Sequence, residues 1–394
     1  MRIGMILDKP FPPDPRVENE AMALINAGHS VYLFCLTYGE ELFSEEINGI
    51  QVKRYISSTL EYKLSALAYT VPFYTNIMAK KIENFLIVHQ IEAIHIHDMV
   101  IAEAVLKVNK KLKLPTTLDL HENRPEIMKL YPHLQKFPGK YLISPLKWKQ
   151  KETSFIKKVD TVVVVTQEAK AEINKKNHSV VVVPNSVRKS FYEKANINEN
   201  ILKKYKDNFV ILYLGDTGLR RGLQTAIKAV AILKNEIKNI KLVIVGSNAT
   251  DSILKQQAKD LDIERFIDFE GWQDVSLFPS YIKASNIGIS PLHKNKHHDT
   301  TYANKIFQYM SFSKPVLVSD AIAQKNLIKK TKSGLVYKEQ DVGGFTNKVL
   351  KLYHNEELRN ELGENGKKFI EEEFVWEKVS QNLVDLYAKL EIKN

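Results

Sequence analysis

A chain of 394 residues, 44% of them hydrophobic, is long enough for two ordinary domains and apolar enough to bury a core in each. The single cysteine, Cys35, excludes an intrachain disulfide and any cysteine-rich zinc site. The net charge of +11, from 57 Lys plus Arg against 46 acids, favours anionic partners, and no zinc finger, basic zipper or RNA-binding signature points to nucleic acid among them.

In chain order, strands are predicted at 2–8 (RIGMILD), 30–36, 50–56, 93–98 (AIHIHD), 116–120 (TTLDL), 161–166 and 180–185. Several are nearly continuous in Val, Ile and Leu, the pattern of parallel strands covered on both faces. Helical apolar spacing separates most of them, as at 17–28 and 100–112. The strand at 50–56 follows its predecessor too closely for a long helix between them. The stretch 60–90 is long and apolar with Pro72 as a break, and 139–158 mixes aromatics with lysines. Either segment is a core helix with solvated lysine edges or an interfacial element seated on anionic lipid. A polar, irregular connection is expected from Asn185 to Asn208. A second series follows, with strands at 208–215, 240–246, 266–271, 287–292, 315–320 and 334–338 and helices at 222–235, 251–261, 303–312 and 341–353.

The fold class is therefore α/β, two doubly wound Rossmann-like domains. The expected division is 1–190 and 191–374, with the helix at 375–394 packing back on the first domain. Ligands of such sheets bind beyond the strands' carboxyl ends, so the site is expected in a cleft between the two domains. No apolar stretch approaches the ~18 uncharged residues of a membrane span. The opening Met1-Arg2-Ile3-Gly4 lacks the pattern of a signal peptide. A cytoplasmic location is expected, with peripheral binding to the inner face of a membrane as the alternative that 60–90 and 139–158 allow.

The second series opens with YLGDTGLRRGL (213–223). A glycine-containing turn from strand to helix presents backbone N–H groups and a helix N-terminus to a phosphate, and Arg220 and Arg221 add cations. Further on, Asn304, Gln308 and Ser311 fall on one helical stripe, preceded by the polar cluster His297-His298-Asp299-Thr300-Thr301, whose bland reading is a solvated loop.

The segment NKIFQYMSFSKPVLVSD (304–320) resembles the donor motif of family 4 glycosyltransferases, usually Asn-Lys-Leu-Phe-Glu-Tyr-Met followed by Lys-Pro-Val-Ile. FPPDPRVENEAMALINAGHSV (11–31), DLHEN (119–123), VPNSV (183–187) and the loop at 213–223 are similar to further elements of that family, in family order. The resemblance implies the GT-B fold, transfer from a nucleoside diphosphate sugar (a UDP-sugar first) to a lipid-linked or saccharide acceptor, retention of configuration, and no metal or cofactor. It assigns donor contacts to Gly215, Thr217, Gly218, Arg221, Asn304, Lys305 and Gln308. It places His121 against the transferred sugar, with Glu122 as the nearest candidate nucleophile. Asp14, Arg16, His97, Asp98, His298 and Thr300 are candidate cleft-lining positions.

Thr300 and Gln308 stand where the family pattern has two glutamates, and the loop's earlier arginine is replaced near Asp216 and Thr217. Asp260-Leu261-Asp262 mimics a metal-binding Asp-x-Asp but falls near a helix end. His95 and His97 share a strand face with no third ligand evident, so no metal is expected. The alternatives are a sugar-nucleotide epimerase of the same fold and a non-catalytic nucleotide-binding relative.

Overall fold

The computed structural model describes residues 1–39, 42–131, 134, 136, 137, 139–177 and 179–393. The chain divides into two units, Met1–Pro184 with the returning segment from Val379, and Asn185–Lys378.

The β-branched runs of the first unit form β1 (Arg2–Ile6), β2 (Ser30–Thr37), β3 (Ser44–Ile47), β4 (Ile50–Ile56), β5 (Ala93–His97), β6 (Thr116–Leu120), β7 (Thr161–Val164) and β8 (Val180–Val182). They make one sheet in the order β3-β4-β2-β1-β5-β6-β7-β8, parallel throughout except for β3 against β4. The unpredicted β3 explains the short spacing before 50–56. It turns back through Asn48 and Gly49, both at positive φ (51° and 82°), which is the Asn-Gly signal of a tight hairpin. Strand order reverses at β1, which lies between β2 and β5.

Helix Phe73–Val88 buries Tyr74, Met78, Ile82, Phe85 and Leu86, while helix Pro145–Ile156 buries Trp148, Phe155 and Ile156. The first starts after Pro72, whose fixed φ and missing N–H suit a helix entry. The core reading of 60–90 and 139–158 therefore holds for one face of each segment. The other face leaves Leu60, Tyr62, Phe73, Tyr141, Leu142 and Leu146 exposed. The two segments meet where the Thr70 hydroxyl donates to the Leu142 carbonyl at 2.8 Å.

The second unit holds β9 (Phe209–Leu214), β10 (Ile240–Val245), β11 (Ile267–Gly271), β12 (Ile287–Ser290), β13 (Val316–Ser319) and β14 (Gly334–Tyr337), all parallel, in the order β11-β10-β9-β12-β13-β14. Here the order reverses between β9 and β12. Helix Leu223–Leu233 buries Leu223, Ala226, Ile227, Val230 and Leu233 at helical spacing. Ile227→Ala would cost ~2–5 kcal/mol, since none of the side chain reaches solvent.

The expected irregular connection at 185–208 is corrected. It contains helices Lys189–Glu193 and Glu199–Tyr205 and belongs to the second unit. The Phe191 ring packs edge-on against Phe312 at 5.9 Å, and the Trp376 N–H donates to the Val187 carbonyl at 2.9 Å. These contacts move the boundary to Pro184 and delay the return to Val379. Helix Gln381–Lys393 then packs on the first unit, where Asn382 donates to the Val182 carbonyl at 2.9 Å. Among the described residues, no helix is long and apolar enough to cross a membrane.

Candidate active site

In a doubly wound sheet, the helices leave by opposite faces where strand order reverses, and a crevice opens beyond the strand ends. In the first unit that point lies between β1 and β5. Asp8 follows β1, Asp98 follows β5, and His121 follows β6. Asp98 is held at a left-handed φ of 66° by its own side chain, which accepts from the Met99 N–H at 2.7 Å, and its other oxygen lies 3.6 Å from Arg124. Arg124 also reaches Glu122 at 3.3 Å, so the candidate nucleophile is paired with a cation. Burial, reinforced by Asp98 and opposed by Lys9 and Arg124, pushes the Asp8 carboxyl up to about 6. Asp8, Lys9, Tyr62, Lys63, Tyr74 and Arg124 help to line a cavity of about 550 Å³.

Beneath His121 lies a buried ionic network. Arg16 grips Asp119 with two bonds, Nε to Oδ2 at 2.8 Å and Nη2 to Oδ1 at 2.7 Å. It also donates to the Val183 carbonyl at 3.1 Å and reaches Glu20 at 2.8 Å. Such a bidentate fork holds a carboxylate in one orientation. The same Asp119 Oδ2 lies 2.8 Å from His121 Nε2, and His97 Nδ1 lies 3.2 Å from that nitrogen. His95 joins Glu20 (3.3 Å) to the Tyr387 hydroxyl (2.9 Å) on the returning helix. Burial alone would raise the Asp119 carboxyl, but Arg16 and His121 hold it well below the ordinary carboxylate range. Burial likewise opposes a charge on His121, and Asp119 outweighs it, so the imidazole pKa rises. His97 is pushed down to about 4, first by burial, and stays neutral. With Nε2 committed to Asp119, His121 keeps Nδ1 for a ligand, and 15% of its side chain is exposed.

Two expectations change here, and Asp14 gains a structural role. Arg16 and His97 do not line a cleft: both are buried, because the anions of Asp119 and Glu20 draw the guanidinium inward and His97 fills the strand face beside it. Asp14 caps helix Pro15–Asn26, its carboxylate accepting from the N–H groups of Arg16 and Val17 at 3.2 Å each. The missing further ligands for His95 and His97 are present, since Glu20 and Asp119 bring four donor atoms within 4.8 Å of one another. The donor set does not suit a dication. Arg16 already pairs with both carboxylates at hydrogen-bond distance, and Asp119 Oδ2 is shared between Arg16 and His121.

The second switch point lies between β9 and β12. Gly215 leaves β9 at φ +103°, and Gly222 enters helix Leu223–Leu233 at φ +76°. A Cβ on Gly222 would fall 1.9 Å from the Pro291 carbonyl, so the turn admits glycine alone. The Lys305 ammonium rests 3.4 Å from the Tyr213 ring centroid, next to Gly215, with no carboxylate partner among the described residues. Burial first, then Arg221, depresses its pKa well below the usual lysine value. Asp216 accepts from Arg221 Nε at 3.0 Å, Arg220 Nη2 at 3.2 Å and the Gly218 N–H at 3.1 Å. Thr217 faces inward, its hydroxyl donating to Asp251. Asn304 is exposed and Gln308 half-buried on the short helix Lys305–Met310. The Gln308 side chain has no hydrogen-bond partner among the described residues, whereas Ser311, the third member of that stripe, is buried.

The cluster at 297–301 is a capped turn and not a solvated loop. Asn295 caps helix Lys296–Asp299 through the His298 N–H at 2.9 Å, and Asp299 accepts from the Ile322 N–H at 2.8 Å. Thr300 folds its hydroxyl back to the Lys296 carbonyl at 2.9 Å. His298 is buried, and its Nδ1 lies 2.6 Å from the His293 carbonyl, an acceptor only, so that nitrogen carries the proton. Burial holds His298 at about 4, and it is neutral at pH 7. Asp260 and Asp262 stand at the end of helix Asp251–Asp260, apart from any strand end.

Two doubly wound units, each with charged and polar groups gathered at its switch point, define an α/β protein of the GT-B type. Residues 16–191 match the model of "Glycosyltransferase Family 4" and residues 194–369 that of "Glycosyl transferases group 1". The chain belongs to the family 4 glycosyltransferases. It is 24% identical over 201 residues to the capsular polysaccharide biosynthesis glycosyltransferase CapM of Staphylococcus aureus, a match covering 50% of this chain and 51% of that one. The matched stretch thus spans about half the length of this relative. The fold is similar to that of sucrose-phosphate synthase from Thermosynechococcus elongatus, with a TM-score of 0.81, 16% identity and all of both chains covered. It is also similar to Anabaena Alr3699/HepE in complex with UDP-glucose, with a TM-score of 0.73, 14% identity, and 99% of this chain and 100% of that one covered.

The sequence did not mark Asp8, Arg124 or Glu20 as functional, and it marked Asp119 only as the first residue of DLHEN. Asp8 was legible as the acidic end of RIGMILD. The other three depend on which strands become neighbours.

Proposed function

We propose that this chain transfers a sugar from a nucleoside diphosphate sugar, a UDP-sugar first, to a lipid-linked or saccharide acceptor, with retention of configuration and without a metal. The observation that carries the donor half is the buried Lys305 amine beside the Gly215 turn, at a switch point and with no carboxylate partner among the described residues. Arg220, Arg221 and the start of helix Leu223–Leu233 surround the same turn. A departing diphosphate develops negative charge as the glycosidic bond breaks, and cations fixed in advance stabilise it without reorganising. On the acceptor side, His121 offers Nδ1, oriented by Asp119, for a hydrogen bond to the transferred sugar. The acceptor is delivered on the face that the diphosphate leaves, with a diphosphate oxygen taking its proton.

The test is calorimetric titration of UDP into wild type and Lys305→Met. Losing one charge-assisted bond of ~1.5–3 kcal/mol should weaken binding by at least tenfold. Equal affinities would remove the donor site from this turn. Transfer should survive excess EDTA, and loss of activity restored by Mn²⁺ would overturn metal independence. Epimerisation of the donor sugar without an acceptor would favour the epimerase reading. Donor binding without turnover would favour the non-catalytic one, which the inward-folded Thr300 hydroxyl motivates.

We also propose that the exposed Leu60, Tyr62, Tyr141, Leu142 and Leu146, with the lysines between them, seat the first unit on an anionic membrane. Aromatic and aliphatic side chains partition to headgroup depth while lysines add attraction that salt screens within ~10 Å at 0.1 M. Binding to anionic vesicles should fall with salt and with Leu146→Ser/Tyr62→Ser. Equal binding to neutral vesicles would remove the electrostatic part.

A further inference from the structure

A glycine turn suits a phosphate because its N–H groups and nearby cations are free to meet it. In this chain they are turned onto one side chain of the protein itself. Asp216 Oδ2 accepts from Arg221 Nε at 3.0 Å and from Arg220 Nη2 at 3.2 Å. Its Oδ1 accepts from the Gly218 N–H at 3.1 Å and from Asn248 Nδ2 at 2.7 Å. These four bonds use the carboxylate's acceptor capacity in full. The backbone is arranged around the same group, since the Tyr213 hydroxyl donates to the Asp216 carbonyl at 2.6 Å. Arg220 and Arg221 are 28% and 22% exposed, so a ligand reaches both without unfolding the turn.

We propose that Asp216 is an internal stand-in for the donor's diphosphate: it holds Arg220, Arg221 and the Gly218 N–H while the site is empty, and a nucleoside diphosphate binds by taking the arginines from it. The inference rests on the reading of this turn as the donor site. Two like charges cannot share the arginines at hydrogen-bond distance without repulsion, so the incoming phosphate and the carboxylate compete. Asp216 thereby sets the affinity for the donor and keeps weaker anions from the turn. Arg220 and Arg221 share this role, because both are bonded to the same oxygen.

Asp216→Asn isolates the charge, since the amide keeps an oxygen for the Gly218 N–H. Calorimetry with UDP should show binding on the order of tenfold tighter in Asp216→Asn than in wild type, in a variant that still folds but melts lower without ligand because Arg220 and Arg221 lose their carboxylate. The gain should vanish in Asp216→Asn/Arg221→Ala. Asp216→Ser, smaller and also uncharged, should show the same gain if Asp216→Asn folds poorly. Unchanged or weaker UDP binding in a folded variant overturns the proposal and makes Asp216 an orienter of the arginines. If wild type binds UDP through Lys305 and Asp216→Asn gains nothing, the donor site stands and this inference alone falls. Binding by Asp216→Asn where wild type shows none supports it, and binding by neither overturns both.

Discussion

Replacing Asp8 should separate the stability of the first unit from its chemistry. Burial, with Asp98 adding to it, moves this carboxyl from 3.8 to about 6, and its Oδ1 is buried with no hydrogen-bond partner among the described residues. Between those values the folded chain holds a proton that the unfolded chain has released, so stability falls as pH rises through the window. At ~1.36 kcal/mol per pH unit, the difference corresponds to ~3 kcal/mol in full, reduced to ~1–2 by the partial exposure of Asp8. Asp8→Asn removes the charge and should gain ~1–2 kcal/mol at pH 8, a rise of ~2–8 °C in melting temperature. Near pH 4, where Asp8 is protonated in the fold, the advantage should disappear. Melting curves of both proteins across this range provide the assay. A gain of equal size at pH 4 and pH 8, or none at pH 8, would refute the reasoning. Transfer should drop in the same variant, because a carboxylate kept at such a cost stands at the first unit's switch point.

Asp119→Asn should lower the pKa of His121, read by NMR titration of its ring, and destabilise the first unit by ~3–5 kcal/mol, because Arg16 and His95 keep their charges beside a single carboxylate. The loss should be largest above pH 5, since the depressed Asp119 stabilises the fold while ionised and that contribution is lost only in acid. A wild-type His121 titration would show that Asp119 does not act on it. His121→Ala should abolish transfer and leave UDP binding nearly intact, checked by a transfer assay beside calorimetry. Gln308→Ala should weaken UDP binding, whereas Gln308→Glu should preserve or improve it, because a carboxylate accepts from both ribose hydroxyls and an amide accepts from one and donates to the other. If Gln308→Ala binds like wild type, Gln308 is not the ribose contact.

The sequence by itself determined the elements and their class. Runs such as TVVV and FVILYL can be satisfied only as strands covered on both faces, and the glycine of GLRRG at the helix entry marks a turn that a side chain could not enter. It also placed His121, Lys305 and Arg221 at strand and helix ends, because those ends are visible in the periodicity. Tertiary structure decided which of these groups meet. Asp119 and Arg16 are 103 residues apart and His95 and Tyr387 292, so no local pattern signals either contact. The same holds for the boundary at Pro184, set by Phe191 on Phe312 and Trp376 on Val187. Polar residues at 297–301 read as a loop because the cap at Asn295 lies outside the cluster, and because Ile322, whose N–H holds Asp299, is 23 residues away. A short-range pattern records the backbone's preferences, while the charge on a buried side chain is set by whatever the fold brings within a few ångströms of it.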